Sequence, residues 1–409
     1  MKTPPKRKII NDPVYGFVTI RHPFILQMID HPWFQRLRRI AQLGLSHLVY
    51  PGALHNRFQH AIGAMHLMQN AIDEIRLKGH AISEEEEVSL LSAVLLHDIG
   101  HGPFSHALEF TLAKGVHHED ISSLMMEKLN EDFSGRLTMA IDIFNNRYPR
   151  RFLHELVSSQ LDMDRLDYLA RDSFFSGVVE GQVGSERILK MLDVVNDQLV
   201  VEEKGIYSIE KFIVARRFMY WQVYLHRTVL SAEFMLVSAM KRAKELAMSG
   251  AELFCSPSLR YFLYNEITKG DFEKADDAIR HYAQLDDFDI TGALKVWQTH
   301  DDKILSILAS KIIQRDLFKI ELRKERFAEE HVNKLIEEIA KRFSITESEA
   351  RYFVINESVD NKAYSNVSDT IKVLMKNGTV RDAAEVSDHL NIAALSQPVE
   401  KHFVAYAEN

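Results

Sequence analysis

The chain has 409 residues, a formal net charge of −8 at pH 7, 46% hydrophobic residues and 26% charged residues. These proportions are those of an ordinary folded protein, and they exclude an intrinsically disordered chain. The acidic balance argues against a general coating of nucleic acid, although it leaves room for a local basic groove.

Cysteine use and hydropathy indicate the compartment. The single cysteine, Cys255, excludes an internal disulfide and is typical of a protein in a reducing environment. The basic segment from Met1 to Arg7 lacks the apolar core of a secretory signal. No apolar run approaches the ~20 residues that are needed to span a bilayer. The sequence therefore predicts a cytoplasmic protein without a membrane partner.

The elements predicted in the first part of the chain are mostly helices. Apolar residues from Ile62 to Ile75 recur at helical spacing. The capping box Ser83–Glu86 starts a second helix, which we expect to end at Gly100. A small hairpin is predicted over Leu199–Tyr207, and one long helix is predicted from about Ser208 to Met248.

The last part of the chain has a different character. Helices are predicted over Asp271–Gln284 and Glu329–Phe343, between turns rich in aspartate, serine and threonine. Strands are predicted within Ser365–Met375 and Val399–Tyr406. We therefore predict a mainly α protein with a smaller mixed α/β C-terminal region.

A histidine and an aspartate stand side by side near the end of the second helix, at His97 and Asp98. An ionised carboxylate next to imidazoles in an apolar segment requires a cation. Imidazole nitrogen and carboxylate oxygen together form the ligand set of a divalent metal such as Mn, Fe, Zn or Mg. The pair is therefore a candidate for part of a metal site.

Further ligands are available at distant positions. His60 follows the segment Asn56–Gln59, and Asp164 lies between two other aspartates, Asp162 and Asp167. An arginine follows each of those two aspartates three or four residues later, which favours salt-bridge or capping roles for them. Asp164 is therefore a candidate for a further ligand.

The order His, then His-Asp, then Asp resembles the pattern of the HD phosphohydrolase superfamily. From Lys8 to about Arg227 the chain resembles the HD-domain deoxynucleoside triphosphate triphosphohydrolases, a group that includes bacterial dGTPases and the catalytic core of the mammalian dNTPase with an additional sterile-alpha-motif domain. The matching stretches are Asp30–Arg38, Gln42–Gly44, Tyr50–His60, His97–His106 and Asp162–Asp172. The resemblance implies an HD-domain catalytic core over residues 1–249. It leaves residues 250–409 as a helical and small α+β region for assembly or regulation.

The resemblance also implies a role for each matching residue. The metal ligands would be His60, His97, Asp98 and Asp164. The catalytic group would comprise His106 as the proton donor to the 5′ oxygen, Glu109 as the residue that orients it, His118 as a second active-site histidine and His101 beside the phosphates. The substrate contacts would be Arg57, Gln42, Leu43, Arg165, Tyr168, Asp172, Arg216 and Tyr224.

Elementary chemistry is consistent with these roles. A metal lowers the pKa of bound water toward ~7 and neutralises charge on phosphoryl oxygens. Arginine matches phosphate oxygens with a planar fork, and a histidine with a pKa near ~6.5 can protonate a departing oxygen. Arg216, Tyr220, Tyr224 and Arg227 are spaced to share one face of the long helix. We expect hydrolysis of dNTPs, with dGTP as the first guess, to deoxynucleoside and inorganic triphosphate. Tyr224 with Leu43 would exclude a ribose 2′-hydroxyl.

A second nucleotide site is also implied by the resemblance. Its candidate residues are Lys8, Asn11, Asp30, Gln35, Arg38, Arg315 and Lys319. Activation across subunits would imply a homo-oligomer, and a tetramer by resemblance. The plain alternative is that Asp30 is the N-cap of a helix that follows it.

Two other functions remain open from the sequence. One is another HD phosphohydrolase, such as a phosphodiesterase or nucleotidase, and the arginine set argues against it. The other is a catalytically silent module that binds nucleotide or single-stranded nucleic acid, and the intact ligand set argues against that. The identity of the metal, the preferred dNTP and the activator are left open.

Overall fold

The computed structural model describes residues 8–274, 276–361, 370–387 and 399–408. Most of these residues are helical. Helices of the first part are α1 (Pro23–Asp30), α2 (Pro32–Gln35), α3 (Arg57–Leu77), α4 (Glu84–Leu96), α5 (Glu109–Leu112), α6 (His118–Asp132), α7 (Thr138–Phe144), α8 (Arg151–Val157), α9 (Met163–Ser176), α10 (Ser185–Met191), α11 (Ile206–Met219) and α12 (Arg227–Met248). Helices of the second part are α13 (Pro257–Leu263), α14 (Lys269–Lys274), α15 (Asp276–Tyr282), α16 (Asp287–Trp297), α17 (Lys303–Ile313), α18 (Glu329–Phe343), α19 (Glu347–Ala350) and α20 (Ala383–Val386).

Three small sheets accompany the helices. The strands are β1 (Lys8–Asp12), β2 (Gly16–Ile20), β3 (Leu192–Val195), β4 (Gln198–Glu202), β5 (Lys319–Arg323), β6 (Val354–Asn361), β7 (Lys372–Leu374), β8 (Val380–Asp382) and β9 (Val399–Tyr406). Their orders are β1-β2, β3-β4-β7-β8 and β5-β9-β6, and all pairings are antiparallel except β4 with β7. The predicted mainly α fold with a smaller mixed C-terminal region is confirmed.

The second sheet joins the two predicted regions of the chain. Strand β4 pairs with β7 in parallel, with Val201 opposite Val373. The division after residue 249 remains a prediction. None of the helices in the described ranges is both long and apolar enough to cross a membrane.

Helices α3 and α4 form the centre of the core. Asn56 and Gln59 make a capping box at the start of α3, and Ser83 and Glu86 make one at the start of α4. Both helices bury residues on nearly all sides. They are therefore internal elements, which hold the side chains at their ends in fixed positions.

The predicted end of α4 at Gly100 was wrong. The helix ends at Leu96, and the chain then tightens into a turn in which Ile99 N donates to Leu96 O at 3.0 Å. Gly100 lies against α6, where an added Cβ would be 2.4 Å from His118 O. This close approach requires the chain to leave the helix, and it places His97 and Asp98 in the turn.

The predicted continuous helix from Ser208 to Met248 was also wrong. A π-helical turn, Tyr220–Tyr224, separates α11 from α12, with Leu225 N donating to Tyr220 O at 2.7 Å. His226 then caps α12 by accepting from Thr228 N. Arg216 and Arg227 therefore lie on different helices and do not share one face. Such π turns are frequent at functional sites.

Smaller predictions had mixed outcomes. The hairpin lies at β3–β4 rather than over Leu199–Tyr207, because the turn is formed by Asn196 and Asp197, both with positive φ. The helix over Glu329–Phe343 and the strand over Val399–Tyr406 are confirmed.

Two further predicted segments differ in extent. Within the predicted Ser365–Met375 segment only β7 is observed, and residues 365–369 lie outside the described residues. Asp271–Gln284 contains the end of α14 and all of α15, with residue 275 between them outside the described ranges.

The proposed N-cap role of Asp30 is not observed. Asp30 is the last residue of α1, and His31 caps α2 because its Nδ1 accepts from Trp33 N at 3.2 Å. The imidazole next to Pro32 can reach the first free amides of α2, whereas Asp30 is still part of the preceding helix.

Candidate active site

Four side chains from three helical segments meet at one point, which we call the ligand cluster: His60, His97, Asp98 and Asp164. His60 Nε2 lies 3.1 Å from Asp164 Oδ1 and 3.4 Å from His97 Nε2. His97 Nε2 lies 3.4 Å from Asp164 Oδ1 and 3.3 Å from Asp98 Oδ1. Asp98 Oδ2 lies 3.7 Å from His60 Nε2. The structure therefore brings together all four residues that were predicted as metal ligands.

The other ring nitrogen of each histidine in the cluster is already engaged. His60 Nδ1 lies 2.7 Å from Asp167 Oδ2, and His97 Nδ1 lies 2.6 Å from the carbonyl oxygen of Val94. Each Nδ1 donates its proton to an oxygen, so Nε2 presents a lone pair to the cluster. Arg171 holds Asp167 in turn, with Nε and Nη2 each 2.9 Å from a carboxylate oxygen.

A glycine allows this support to fit behind α3. A Cβ at Gly63 would lie 2.0 Å from Asp167 Oδ1 and 2.1 Å from Arg171 Nη2. Asp162, the other flanking aspartate, caps α9 and pairs with Arg165, as the spacing of the arginines predicted. The two neighbours of Asp164 thus have structural partners, whereas Asp164 faces the cluster.

The ligand cluster has the charge balance of a cation site. Burial opposes a charged imidazole, but hydrogen bonds and charges from Asp164 and Asp167 raise the pKa of His60 to about 10. Burial likewise opposes charge on His97, and the charges of Asp98 and Asp164 raise its pKa to about 8. The carboxylates thus favour positive charge at this point, and a bound metal ion would supply that charge in place of the ring protons. Two imidazole and two carboxylate donors at these separations fit a divalent ion such as Mn, Fe, Zn or Mg.

A second group, which we call the histidine cluster, comprises His101, His106 and His118, whose ring nitrogens lie within 4.8 Å of one another. The rings of His101 and His118 stack, with centroids 3.9 Å apart and planes 21° apart, and His106 meets both edge to face. Lone pairs in the planes of two stacked rings run nearly parallel and do not converge on one ion. The geometry therefore favours proton and phosphate chemistry here over a second metal.

Glu109 joins two members of the histidine cluster. Its Oε1 accepts from His118 N at 2.8 Å and lies 2.8 Å from His118 Nδ1, and its Oε2 lies 3.4 Å from His106 Nδ1. Burial opposes ionisation of Glu109, but these hydrogen bonds hold its pKa well below the usual range. His101 differs, because burial and the charge of Arg57 hold its pKa well below the usual range and keep the ring neutral.

A cavity of about 390 Å³ adjoins both clusters. The predicted site residues that line it are Gln42, Leu43, Arg57, Asp98, His101, His106, His118, Asp164, Tyr168, Asp172 and Tyr224. Tyr220, which was expected on the same helix face as Tyr224, also lines the cavity. The lining residues that were not predicted are Gly44, Ser46, Phe104, Ser105, Leu225, Leu230 and Glu233. One space therefore contacts most of the predicted ligand, catalytic and substrate residues.

A buried carboxylate is fixed in one wall of this cavity. Asp172 Oδ1 lies 2.7 Å from His55 Nε2, and Asp172 Oδ2 accepts from the Tyr224 hydroxyl at 2.8 Å. The π-helical turn that ends at Tyr224 brings the tyrosine to this position. His55 was not predicted, although it lies in the matching block before His60.

Arg165 and Arg216 do not line the main cavity. Arg165 Nη1 donates to Asp162, and Arg216 Nη1 donates to Gln160 Oε1 at 3.0 Å. The Nε atom of each arginine is buried and has no hydrogen-bond partner in the part of the chain that the structure describes. Unpartnered buried guanidinium donors are favourable positions for an anion.

Glu233 was missed by the sequence analysis. It lines the cavity from α12, and no group in the described ranges hydrogen-bonds its carboxyl. Burial raises its pKa to about 8. The signal in the sequence was its isolation, because Glu233 is the only charged residue between Arg227 and Lys241.

Several residues predicted for a second nucleotide site lie close together. Lys8 Nζ is 3.8 Å from Asp30 Oδ1, and Arg38 Nε donates to Gln35 Oε1 at 2.8 Å. Asn11 lies on β1, the strand that carries Lys8. These five residues come from the first helices and the first hairpin.

The other two predicted activator residues have separate partners. Arg315 Nε donates to Leu48 O at 2.8 Å, and Lys319 pairs with Glu408 at 2.9 Å. No hydrogen bond or ion pair connects them to the first group among the described residues.

Comparisons with known proteins agree with the site. Residues 57–172 match the HD domain family, and residues 183–256 match the HD associated region. An uncharacterised protein of Bacillus subtilis, YwfO, is 34% identical over 77% of this chain and 72% of its own length. The human deoxynucleoside triphosphate triphosphohydrolase SAMHD1 is 30% identical over 60% of this chain, and the match spans 46% of the human protein.

A solved structure extends the similarity to the whole fold. The crystal structure of a phosphohydrolase from Bacteroides thetaiotaomicron has a TM-score of 0.95 and 52% identity, covering 98% of this chain and 100% of that one. The fold and the ligand cluster define an HD-domain phosphohydrolase. The chain belongs to the HD-domain family that includes the SAMHD1-like dNTPases.

Proposed function

We propose that this phosphohydrolase cleaves dNTPs, with dGTP as the preferred substrate, to a deoxynucleoside and inorganic triphosphate. The supporting observation is a single cavity that contacts the ligand cluster, the histidine cluster and the fixed Asp172–Tyr224 pair. The similarity to relatives that are named deoxynucleoside triphosphate triphosphohydrolases also supports the proposal, and the chain spans about half of their length.

The ligand cluster and the arginines would act on the phosphates. The ligand cluster would hold a divalent ion, which when bound would lower the pKa of water and neutralise charge on the phosphoryl oxygens. Arg57 is buried, contacts Asp98 and lines the cavity, so its guanidinium is a cationic donor for the phosphates. Arg165 and Arg216 do not line the cavity, so their side chains would have to move for their unpartnered Nε donors to reach the outer phosphates. With that movement, the three arginines would favour a triphosphate over a diester substrate.

His106 is the proposed proton donor to the departing 5′ oxygen. It lines the cavity, and its Nδ1 faces the ionised Glu109, which stabilises the imidazolium before transfer. Its side chain is 69% exposed, so it can regain a proton from solvent. His118 also contacts Glu109, and its ring stacks on that of His101. These contacts hold the carboxylate of Glu109 in place beside His106.

The sugar would lie between Asp172 and the loop that carries Leu43. Both oxygens of Asp172 have one partner each, which leaves lone pairs to accept from a 3′-hydroxyl. Leu43 and Tyr224 line the same space. A ribose 2′-hydroxyl placed between them would lose its hydrogen bonds to water without replacement, which favours deoxynucleotides.

Glu233 supports guanine as the base. Guanine presents two adjacent donors, N1–H and N2–H, which are complementary to an ionised carboxylate, so the binding of guanine would lower the raised pKa of Glu233. A Cβ at Gly44 would lie only 3.3 Å from Glu233 Oε1, so the glycine keeps open the space in front of the carboxyl. Binding of guanine would replace the missing partners of Glu233.

Product analysis tests the reaction. Purified protein is incubated with each dNTP, alone and in pairs, with Mn²⁺ or Mg²⁺, and the products are separated by ion-exchange chromatography. Deoxynucleoside with intact triphosphate is the expected result. Release of pyrophosphate or of single phosphates would instead indicate another HD phosphohydrolase reaction. A protein that binds metal but turns over no nucleotide would be a binding module, with nucleotide or single-stranded nucleic acid as its ligand.

Nucleotide activation forms the second part of the proposal. Asp30 can accept from guanine donors, and Lys8, Asn11, Gln35 and Arg38 lie on neighbouring elements. Arg315 and Lys319 would come from another copy in a homo-tetramer. Light scattering with and without nucleotide, together with turnover in dNTP mixtures, tests both points. A constant mass and equal turnover in single and mixed dNTPs would remove this part of the proposal.

A further inference from the structure

Two loops line the cavity beside the ligand cluster. The first, which we call the sugar loop, comprises residues 41–44, and the second, which we call the acid loop, comprises residues 101–106. Leu43 belongs to the first loop and His106 to the second. The sugar loop has a glycine, Gly44, at its positive-φ position, whereas the acid loop has none at its two positive-φ positions, so contacts from elsewhere must hold the acid loop.

The acid loop has two consecutive residues in the left-handed region. Phe104 has φ of 53° and Ser105 has φ of 54°, and neither is a glycine. This backbone is unfavourable for residues with side chains and persists only where neighbouring groups hold it. His106 follows directly, so the direction of its ring depends on this conformation.

One carboxylate from the C-terminal region holds both loops. Asp287, the first residue of α16, accepts from Phe104 N through Oδ1 at 2.7 Å and from Ala41 N through Oδ2 at 2.8 Å. Each of its oxygens thus contacts a different loop. Ser105 completes the link, because its hydroxyl donates to Ala41 O at 2.9 Å and accepts from Arg57 Nε at 2.9 Å.

A buried arginine anchors the base of the acid loop to the same region. The Arg36 guanidinium donates to Ile99 O and His101 O on one side, at 2.7 and 2.9 Å. On the other side it donates to Tyr282 O and Leu285 O, at 3.2 and 3.0 Å. The segment between α15 and α16 is therefore attached to the loop by Arg36 at its base and by Asp287 near its tip.

We infer that Asp287 is a positioning residue for the chemical step, which holds the acid loop so that His106 reaches the leaving oxygen. The inference rests on the role of His106 in the proposed function. None of the four members of the ligand cluster bonds to Asp287 directly, and the connection between them runs through Ser105 and Arg57 to Asp98. Asp287 also lies outside the residues that match the HD domain and the HD associated region.

The test compares Asp287→Asn with Asp286→Asn. An asparagine can accept from only one of the two amides, since its other terminal atom is an NH₂ donor. Asp286 is the matched control, because it caps α16 and pairs with Arg39 but bonds to neither loop. Both variants are measured as full-length, metal-loaded protein, with metal content and melting temperature determined for each.

A substrate with a different leaving group shows whether Asp287 positions the acid His106 or only stabilises the fold. With dGTP, Asp287→Asn should lower kcat by about tenfold to a hundredfold, because a misplaced acid forfeits part of its contribution. With a dGTP analogue that carries sulfur in place of the bridging 5′ oxygen, the thiolate leaves without a proton, and the variant should retain at least half of the wild-type rate. Asp286→Asn should leave both rates within twofold of wild type. An equal loss on both substrates, a loss of metal or an unchanged dGTP rate would each overturn the inference.

Hydrogen exchange provides a second readout that needs no substrate. Asp287→Asn should raise amide exchange in peptides that cover both the sugar loop and the acid loop, whereas Asp286→Asn should not. Unchanged exchange in the two loops would overturn the inference even if activity fell. A wild-type protein that turned over no dNTP would refute the proposed function. The exchange experiment would still decide whether Asp287 holds the sugar loop and the acid loop in place.

Discussion

The ligand cluster and the two loops that line the cavity beside it are built in different ways. The ligand cluster takes its side chains from buried helices and the turn that follows α4, and each histidine is oriented by one further oxygen. The sugar loop and the acid loop are held by Asp287, which lies 246 and 183 residues away from its two partners along the chain. The metal-binding part is therefore contained within the HD domain, whereas the proton-donating part depends on a segment beyond it.

The largest expected effect comes from a change in the ligand cluster. Replacement of Asp164 by alanine removes a ligand that contacts both histidines, so we expect turnover to fall by about a thousandfold or more. Metal content, measured by plasma mass spectrometry, should fall with it. Asp142→Ala is the control, because Asp142 pairs with Arg147 at the surface. Full metal content in the Asp164 variant would show that the cluster has other ligands.

The next largest effect is on the proton donor. His106→Ala should lower kcat by about 10²–10⁴-fold, the range of general acid catalysis, while metal content and KM stay near wild type. His117→Ala is the matched control, since that exposed histidine lies 3.7 Å from the same Glu109. Equal turnover of wild type and the His106 variant would exclude His106 as the acid.

A smaller effect is expected from Asp167, which is not a member of the ligand cluster but orients His60. Asp167→Asn weakens the hydrogen bond that orients His60, so metal affinity should fall by about 10–100-fold. Isothermal titration calorimetry with Mn²⁺ measures this metal affinity. Asp193→Asn removes a comparable contact to His80 far from the cluster and should leave the affinity unchanged. A wild-type affinity in the Asp167 variant would mean that packing alone orients His60.

Base preference should change by a still smaller factor. Glu233→Gln replaces one acceptor with a donor that faces guanine, so the ratio of kcat/KM for dGTP over dATP should fall by about tenfold. Glu245→Gln, on the same helix, should not alter the ratio. An unchanged ratio in the Glu233 variant would refute a role for this carboxyl in reading the base.

The smallest effect is a pH dependence of stability. Burial raises the pKa of Glu233 to about 8, above its ordinary value of 4.5. A raised carboxyl pKa stabilises the fold fully below the unfolded value, and this contribution is lost as pH rises through about 8. Wild type should therefore lose about 1–3 °C of melting temperature relative to Glu233→Gln between pH 5 and pH 9. A constant difference would show that Glu233 titrates normally.

The parts that sequence could predict are those encoded by short motifs. The ligand cluster, the capping boxes of α3 and α4 and the strand β9 follow from local patterns. The break between α11 and α12 was missed, because Tyr220 to Tyr224 is compatible with an α-helix and only the contact of Tyr224 with Asp172 favours the wider turn.

The roles of Asp287 and Arg36 could not have been read from the sequence. An Asp-Asp pair before a helix predicts a cap, and Asp286 fulfils that role. Its neighbour contacts amides that lie 183 and 246 residues away. Such contacts depend on the folded arrangement of the whole chain, and no local pattern reports them.

The four carbonyl partners of Arg36 have a consequence for biosynthesis. Two of them, Tyr282 O and Leu285 O, are translated long after the ligand cluster is complete. A nascent chain that has emerged only as far as α12 contains all four residues of the ligand cluster but lacks two of the carbonyl partners of this guanidinium. The acid loop is therefore expected to reach its final conformation only after α16 has emerged.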